Sequence, residues 1–459
     1  MPTIEQANQL LQVLEITQKA VHMVVAEWEK RPPSSNQNTD LPSHELFDAR
    51  RTVIAATGKL VELAASPSEH LIEVTSQYNE SRCLHIVTAL RVPDLLAKAG
   101  EAGIAIEKLS ADVSIETRKL SRIMRCLCSI HVFREVQPSP LRAYIALLSW
   151  DPYAASEALP KTLLAPESKD SYAVTNTTFQ RAMGTKKERW AWLEEGTTPV
   201  ELEQHHSGKG TYSGPFGPDV AEKVKQRRPD EQVRRPELDV FGLAMLGGGV
   251  VLGSAHLYDF PWDTLGDAQL IDVGGGVGGF CLQLSHIYPQ LRFVIQDRAP
   301  ALEQAQKEIW PRENPNALKS GRVQFQPHDF FEPNPVQGAD VYWLRYILHD
   351  WSDDYCIRIL KAIRASMRPN SRLLICDQVM NTTVGCDAIQ SAPAPLPANY
   401  GYSTRYSHQR DITMMNVING IERTPDDFRE LIEKAGLVMS RIYDCRSQVS
   451  LVECVLPSI

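Results

Sequence analysis

The stretch Leu270-Ile271-Asp272-Val273-Gly274-Gly275-Gly276-Val277-Gly278-Gly279 decides the fold of the carboxyl half, because a short apolar strand runs straight into a glycine cluster. Gly274, Gly276 and Gly279 satisfy GxGxxG, a spacing that lets the backbone turn tightly and come close to a ligand as a helix begins. Asp297, at the end of the next apolar run, stands where a carboxylate can accept hydrogen bonds from ribose hydroxyls. Strand, glycines, helix and acid together predict a bound nucleoside. They do not choose between a nicotinamide dinucleotide and S-adenosylmethionine, since both carry a ribose.

Outward from this motif the pattern is strands alternating with helices, the signature of a parallel sheet covered on both faces. Strands are predicted at Gln269–Val273, Arg292–Gln296, Val323–Pro327, Val341–Ile347 and Arg372–Cys376. Thr424-Pro425-Asp426-Asp427 reads as a helix start with an N-cap, a proline at the first helical position and acids in the first turn. Gly436 closes that helix. Leu437–Cys445 and Val449–Val455 follow with β character, so the sheet is expected to end in an antiparallel hairpin. The fold class is therefore α/β, a Rossmann-like sheet preceded by a mostly helical domain. Between Cys386 and Asn399 an insertion carries Pro393, Pro395 and Pro397, which regular structure does not accept.

The amino-terminal half is read as helical by its apolar spacing, with breaks at Arg31-Pro32-Pro33 and Gly100. Residues 1–200 are expected to form one helical domain, 201–240 an irregular connection and 241–459 the catalytic domain, with the insertion at 386–399. Within 80–140, helices followed by Ile130-His131-Val132-Phe133 suggest a winged-helix portion, and Arg118, Lys119, Arg122 and Arg125 form a basic stripe. The chain as a whole carries a formal charge of −8. General affinity for nucleic acid or an anionic membrane needs clustered positive charge, so neither partner is expected. A 43% hydrophobic and 23% charged composition is that of a globular protein. The start of the sequence lacks a secretory pattern and no stretch approaches 18 uncharged apolar residues, so the reading is cytoplasmic. Nine scattered cysteines make no CxxC pair, and no metal is expected. His205-His206 is read as a surface loop.

Two features favour S-adenosylmethionine over the dinucleotide. In His328-Asp329-Phe330-Phe331, at the end of the third strand, Asp329 can meet an adenine amino group and Phe330 can pack on the base. After Gly279 no second glycine-rich turn follows a strand, as a dinucleotide would usually require. His349, in Leu348-His349-Asp350-Trp351, falls just past the fourth strand at the carboxyl edge, where open α/β folds bind ligands. Asp377 ends the fifth strand, and Glu422 precedes the capped helix, so one imidazole and two carboxylates can converge there. A phenol of pKa about 10 losing its proton to an imidazole of about 6.5 faces a gap of roughly 5 kcal/mol. A carboxylate that stabilises the imidazolium narrows it.

On Asp272–Gly279, His349-Asp350-Trp351 and Asn419–Thr424, the chain resembles a fungal member of the plant-type, caffeate-methylating (COMT-like) class I S-adenosylmethionine-dependent small-molecule O-methyltransferases, over most of residues 70–455. The resemblance implies His349 as general base and Asp377 and Glu422 as the acids that orient it. It implies cofactor contacts at Gly274, Gly276, Asp297, Asp329, Phe330 and Arg345, and S-adenosylhomocysteine as the product. Met414 and Met415 match a methionine wall for an aromatic acceptor, with Trp190 closing it. The helical half then serves homodimerisation and substrate enclosure. Asp377 is one methylene shorter than the glutamate common in plant relatives, and Arg345 replaces a usual lysine. The amino-terminal extension and the 386–399 insertion exceed the plant pattern. Three other readings stay open: a methyltransferase-fold pericyclase, a non-catalytic S-adenosylmethionine-binding dimer, and a nicotinamide dehydrogenase.

Overall fold

The structure, a computed structural model, describes residues 4–30, 41–65, 67–100, 103–133, 141–203, 210–225, 227–251 and 254–457. His205-His206 lies outside them. The chain divides into two compact units: Met1–Ala64 with Leu252–Met414 and Asn419–Ile459, and Ala65–Val251 with Met415–Ile418. The first two helices therefore group with the sheet, whereas the sequence reading placed residues 1–200 together.

The first unit is built on a seven-stranded sheet of order β3-β2-β1-β4-β5-β7-β6. Its strands are β1 Gln269–Val273, β2 Arg292–Asp297, β3 Val323–Pro327, β4 Val341–Arg345, β5 Arg372–Asp377, β6 Val438–Tyr443 and β7 Ser450–Val455. The first five pair in parallel, and β7 runs antiparallel to both β5 and β6. These are the strands expected from the sequence, the fourth ending two residues early at Arg345. Interior strands read as nearly continuous Val, Leu and Ile because both faces are covered. One face packs Leu270, Phe293, Trp343 and Leu374 under Phe280 and Trp262; the other packs Ile271, Tyr342 and Ile375 under Ile359, Phe428 and Leu431. Phe280 and Trp343 stack with ring centroids 4.0 Å apart. The reversal of strand order falls between β1 and β4, and a doubly wound sheet opens its ligand crevice at that point.

The proline-rich insertion has no helix or strand between Asp377 and Gly401. It is nevertheless packed: Leu396 and Tyr400 are buried with Val13, Ala55 and Ala56 of the helices Ile4–Glu29 and His44–Ala64. The Arg51 guanidinium lies 4.1 Å from the centre of the Tyr400 ring and donates to Gln390. The two segments that exceed the plant pattern thus form one layer on the catalytic unit.

The second unit is helical. Tyr78–Ala89, Val92–Ala99, Ile106–Val113 and Thr117–Ser129 enclose a core of Val87, Val92, Leu109, Leu120 and Leu127. The expected wing edge at 130–133 is a turn, and 134–140 lie outside the described residues. Of the basic stripe, the side chains of Arg118 and Arg125 lie outside the described ones. The connection at 201–240 is less irregular than expected: Pro199–Glu203 and Pro218–Val224 are helical and a long helix begins at Pro236. Proline opens all three, at the helix start where its missing N–H costs nothing. No helix of the described residues is long and apolar enough to cross a membrane.

Candidate active site

The glycine loop is tied to the end of β2. The N–H groups of Gly274 and Gly275 both donate to the Gln296 carbonyl, at 2.8 and 3.0 Å, and Gly276 donates to Asp297 Oδ2 at 2.8 Å. Gly274 and Gly278 have φ of +74° and +78°, and a β-carbon on them would collide with Ile347 and Ile295. Here glycine is needed for both conformation and space. A β-carbon on Gly276 or Gly279 would instead meet open space. Beneath the loop, Asp272 is buried and accepts a contact from the Cys281 thiol. Burial lifts its carboxyl to about 7 against the opposing pull of Cys281 and Arg345.

The other predicted cofactor residues frame the same edge. Asp297 is half-buried and also accepts its neighbour Arg298's N–H; Asp329 is exposed and accepts from Phe331 N. Phe330 comes close to Gly274 and joins Phe331 and Trp351 in an edge-to-face cluster, so the tryptophan of His349-Asp350-Trp351 pins the end of β3 to the turn after β4. Arg345 ends β4 with a buried Nε that has no protein partner, and its guanidinium lies 5.2 Å from the Tyr346 ring. Open space over the glycines, an orphaned buried donor and a half-buried acid at the end of β2 fit a nucleoside bearing a polar tail.

After β4, Tyr346 takes a left-handed φ of +54° and a single 3-10 turn, Leu348–Asp350, presents His349. His349 is 6% exposed. Its Nδ1 stands 2.9 Å from Glu422 Oε1, itself buried, and its Nε2 3.3 Å from Asp350. Glu422 is an acceptor only when ionised, so Nδ1 carries the proton and donates to it, leaving Nε2 as the basic nitrogen. Burial disfavours the imidazolium, but Glu422 and Asp350 outweigh burial and hold its pKa above the ordinary value. Burial likewise opposes the Glu422 carboxylate, yet His349 and Arg410 hold it below its usual range.

Asp377 does not orient His349 by contact. Its Oδ1 accepts the Tyr346 N–H at 2.9 Å and its Oδ2 is buried without a protein partner. A side chain one methylene shorter than glutamate reaches the strained backbone before the histidine and holds the turn instead. Burial lifts Asp377 to about 7, against the pull of His349.

Three neighbours escaped the sequence reading. Arg410, on the helix Arg405–Ile418, lies 3.1 Å from Glu422 Oε1. Arg423 is 1% exposed and donates to the carbonyls of Leu348 and Trp351 and to Asp353. Gly420 follows Asn419, itself at φ +56°, and a β-carbon on Gly420 would stand 2.2 Å from the His349 carbonyl oxygen. The adjoining Ile421 N–H donates to that oxygen at 2.9 Å. The segment 419–424 is thus laced to the histidine turn along its backbone. Gly420→Ala is expected to cost about 1–3 kcal/mol through overpacking and to lower methyl transfer more than tenfold by moving His349, read from thermal unfolding and product formation.

Met414 and Met415 lie half-buried in the last two turns of the same helix, the division between units falling between them. Trp190, in the helical unit, packs edge-to-face on Phe241 at 5.0 Å. No group of three or more potential metal ligands occurs among the described residues.

A glycine loop after β1, an acid after β2 and a histidine–carboxylate pair beside the switch point are the marks of a class I methyltransferase domain. An O-methyltransferase domain model matches residues 251–438 and an O-methyltransferase dimerisation model residues 72–145. O-methyltransferase tpcA of Aspergillus fumigatus is 54% identical, over 99% of this chain and 97% of its own length. O-methyltransferase gedA of Aspergillus terreus is 51% identical over the same shares of both. The chain belongs to the COMT-like class I S-adenosylmethionine-dependent O-methyltransferases. Among solved structures, the mitomycin 7-O-methyltransferase MmcR superimposes with a TM-score of 0.58 at 23% identity, covering 85% of this chain and 98% of that one. LepI in complex with SAM superimposes with 0.62 at 19%, covering 97% and 100%. These two are likenesses of fold.

Proposed function

We infer that this enzyme methylates a phenolic hydroxyl on a flat aromatic small molecule, with His349 as the general base. The observation that carries the reading is the buried His349–Glu422 pair, which fixes the tautomer and leaves Nε2, beside Asp350, as the nitrogen that takes a proton. S-Adenosylmethionine, when bound, supplies an electrophilic methyl group on a sulfonium. His349 Nε2 removes the phenol proton, Glu422 stabilises the resulting imidazolium through Nδ1–H, and Asp377 keeps the turn in place through Tyr346 N–H. The raised imidazole pKa narrows the gap to a phenol of about 10.

Gly274, Gly276, Asp297, Asp329, Phe330 and Arg345 are the residues that would hold the cofactor, the carboxylates taking its hydroxyl and amino donors. Met414, Met415 and Trp190 are assigned to the acceptor, for which polarisable methionines and an aromatic ring suit a flat apolar ligand. In this reading the sheet unit, with the first two helices, is the catalytic domain and the helical unit Ala65–Val251 serves a cytoplasmic homodimer.

The test is to incubate the protein with S-adenosylmethionine and a panel of mono- and polycyclic phenols and follow S-adenosylhomocysteine and a mass gain of one methyl. Release of neither with any phenol would sink the proposal. Asp297→Ala is expected to weaken S-adenosylhomocysteine binding at least tenfold in calorimetry with the fold intact, since a lost charge-assisted pair of hydrogen bonds is worth about 1.5–3 kcal/mol each. Unchanged affinity would remove the ribose role.

A further inference from the structure

Arg410 stands against the base pair and has no part in the mechanism above. Its Nε lies 3.1 Å from Glu422 Oε1, the same oxygen that takes the His349 Nδ1 proton, and one of its terminal nitrogens is 3.3 Å from Nδ1 itself. A nitrogen that donates to Glu422 cannot also accept from a guanidinium, so the hold of Arg410 on the pair runs through the carboxylate oxygen they share. The guanidinium carbon sits 4.5 Å from the centre of the Tyr346 ring, and that ring lies 5.4 Å from the imidazole. The side chain is 11% exposed, so water screens little of its charge.

Resting on the reading of His349 as base, we propose that Arg410 is a positioning residue that shares Glu422 with His349 and so keeps the imidazole neutral enough to accept a proton. A carboxylate given wholly to the imidazolium would make His349 a proton store rather than a base. A fixed cation on the same oxygen withdraws part of that stabilisation and adds direct repulsion. The groups facing the imidazole are Glu422, Asp350, Arg410, Tyr346 and, at longer range, Asp377. The first two favour its charged form, and Arg410 is the cation among them. The direction of the Arg410 effect on His349 is downward, against the upward pull of the acids.

The test is a titration of His349 by NMR in protein labelled at histidine Cε1, its signal among the 12 histidines assigned by loss in His349→Ala. Arg410→Met keeps an unbranched stem and removes the charge. It is expected to raise the His349 midpoint by about one unit, the lower end of what a charge at this range does. The acid limb of the pH profile for the best phenol of the panel should move up with it. Arg410→Lys, which keeps the charge, should stay within a few tenths of wild type. Should the methionine variant fail to fold, Arg410→Gln removes the charge and retains a donor. An unmoved midpoint in a folded, uncharged variant overturns the proposal, because a packing role would lower turnover without shifting the titration. Wild-type methyl transfer by His349→Ala removes the base itself, a failure read independently of the Arg410 variants.

Discussion

His349→Ala is expected to lower the turnover of a phenolic acceptor by about 10²–10⁴-fold, the usual contribution of a positioned general base, with S-adenosylhomocysteine affinity nearly unchanged. The proposed cofactor residues rest on the glycine loop and the ends of β2, β3 and β4, and none of their described hydrogen bonds passes through the imidazole. Loss of rate with retained affinity would therefore separate proton removal from binding. The pH profile of the parent enzyme gives a second reading. A base works only when neutral, and burial, which lowers the His349 pKa, is outweighed by Glu422 and Asp350, so its folded pKa is raised. Activity should climb as pH rises through a midpoint above the ordinary imidazole value of about 6.5, and fall away below it as the imidazolium forms. In His349→Ala that limb should vanish from the residual activity. Equal turnover in parent and variant would sink the role.

Arg423→Met is expected to be the most destabilising single change in the site region. Arg423 is almost wholly enclosed and donates to Leu348 O at 2.9 Å, Trp351 O at 2.8 Å and Asp353 at 2.8 Å. Hydrogen bonds from a charged donor are worth about 1.5–3 kcal/mol each, and buried carbonyls left unpaired carry their own penalty. Allowing for non-additivity, the loss should be about 3–5 kcal/mol, visible as a drop of several degrees in the unfolding temperature. The carbonyls it clamps bracket His349, so turnover should fall even where the protein stays folded. Arg423→Lys keeps the charge but cannot fan its donors over three acceptors, and should recover only part of the loss. A variant as stable and active as the parent would show that the turn holds itself.

The sheet was legible because glycine, charge and apolar runs mark it independently. The run 269–273 is bounded by Gly266-Asp267 on one side and glycines on the other, and such edges leave little freedom. β6 was less sharp, since a bulge between Met439 and Arg441 breaks its period of two. Within the site, His349 and Glu422 could be paired from the sequence because each sits at an element boundary that points to the same sheet edge. Asp377 could be placed there too, but one methylene decides whether it reaches an imidazole or a backbone N–H, and sequence alone does not measure that reach. Arg410 and Arg423 carried a weaker signal. A lone arginine reads as solvated, and the one signal that could have found Arg410 is its spacing one helical turn before Met414, which puts the two on a shared face. Gly420 was quoted inside its motif without its reason, which is the His349 carbonyl pressed against it.

The layer made by the two amino-terminal helices and the proline-rich segment bears on how this chain can be recombined with its relatives. Gly58 lies so close to Tyr402 that a β-carbon would stand 2.3 Å from that side chain, and Arg51 bonds to a residue 339 positions away. A chimera that borrowed the helices without the insertion would turn Val13, Ala55 and Ala56 out to water; the reverse swap would strand Leu396 and Tyr400. Each large side chain so exposed forfeits about 1.5–3 kcal/mol. The two segments are a single inheritable block, exchanged together or not at all.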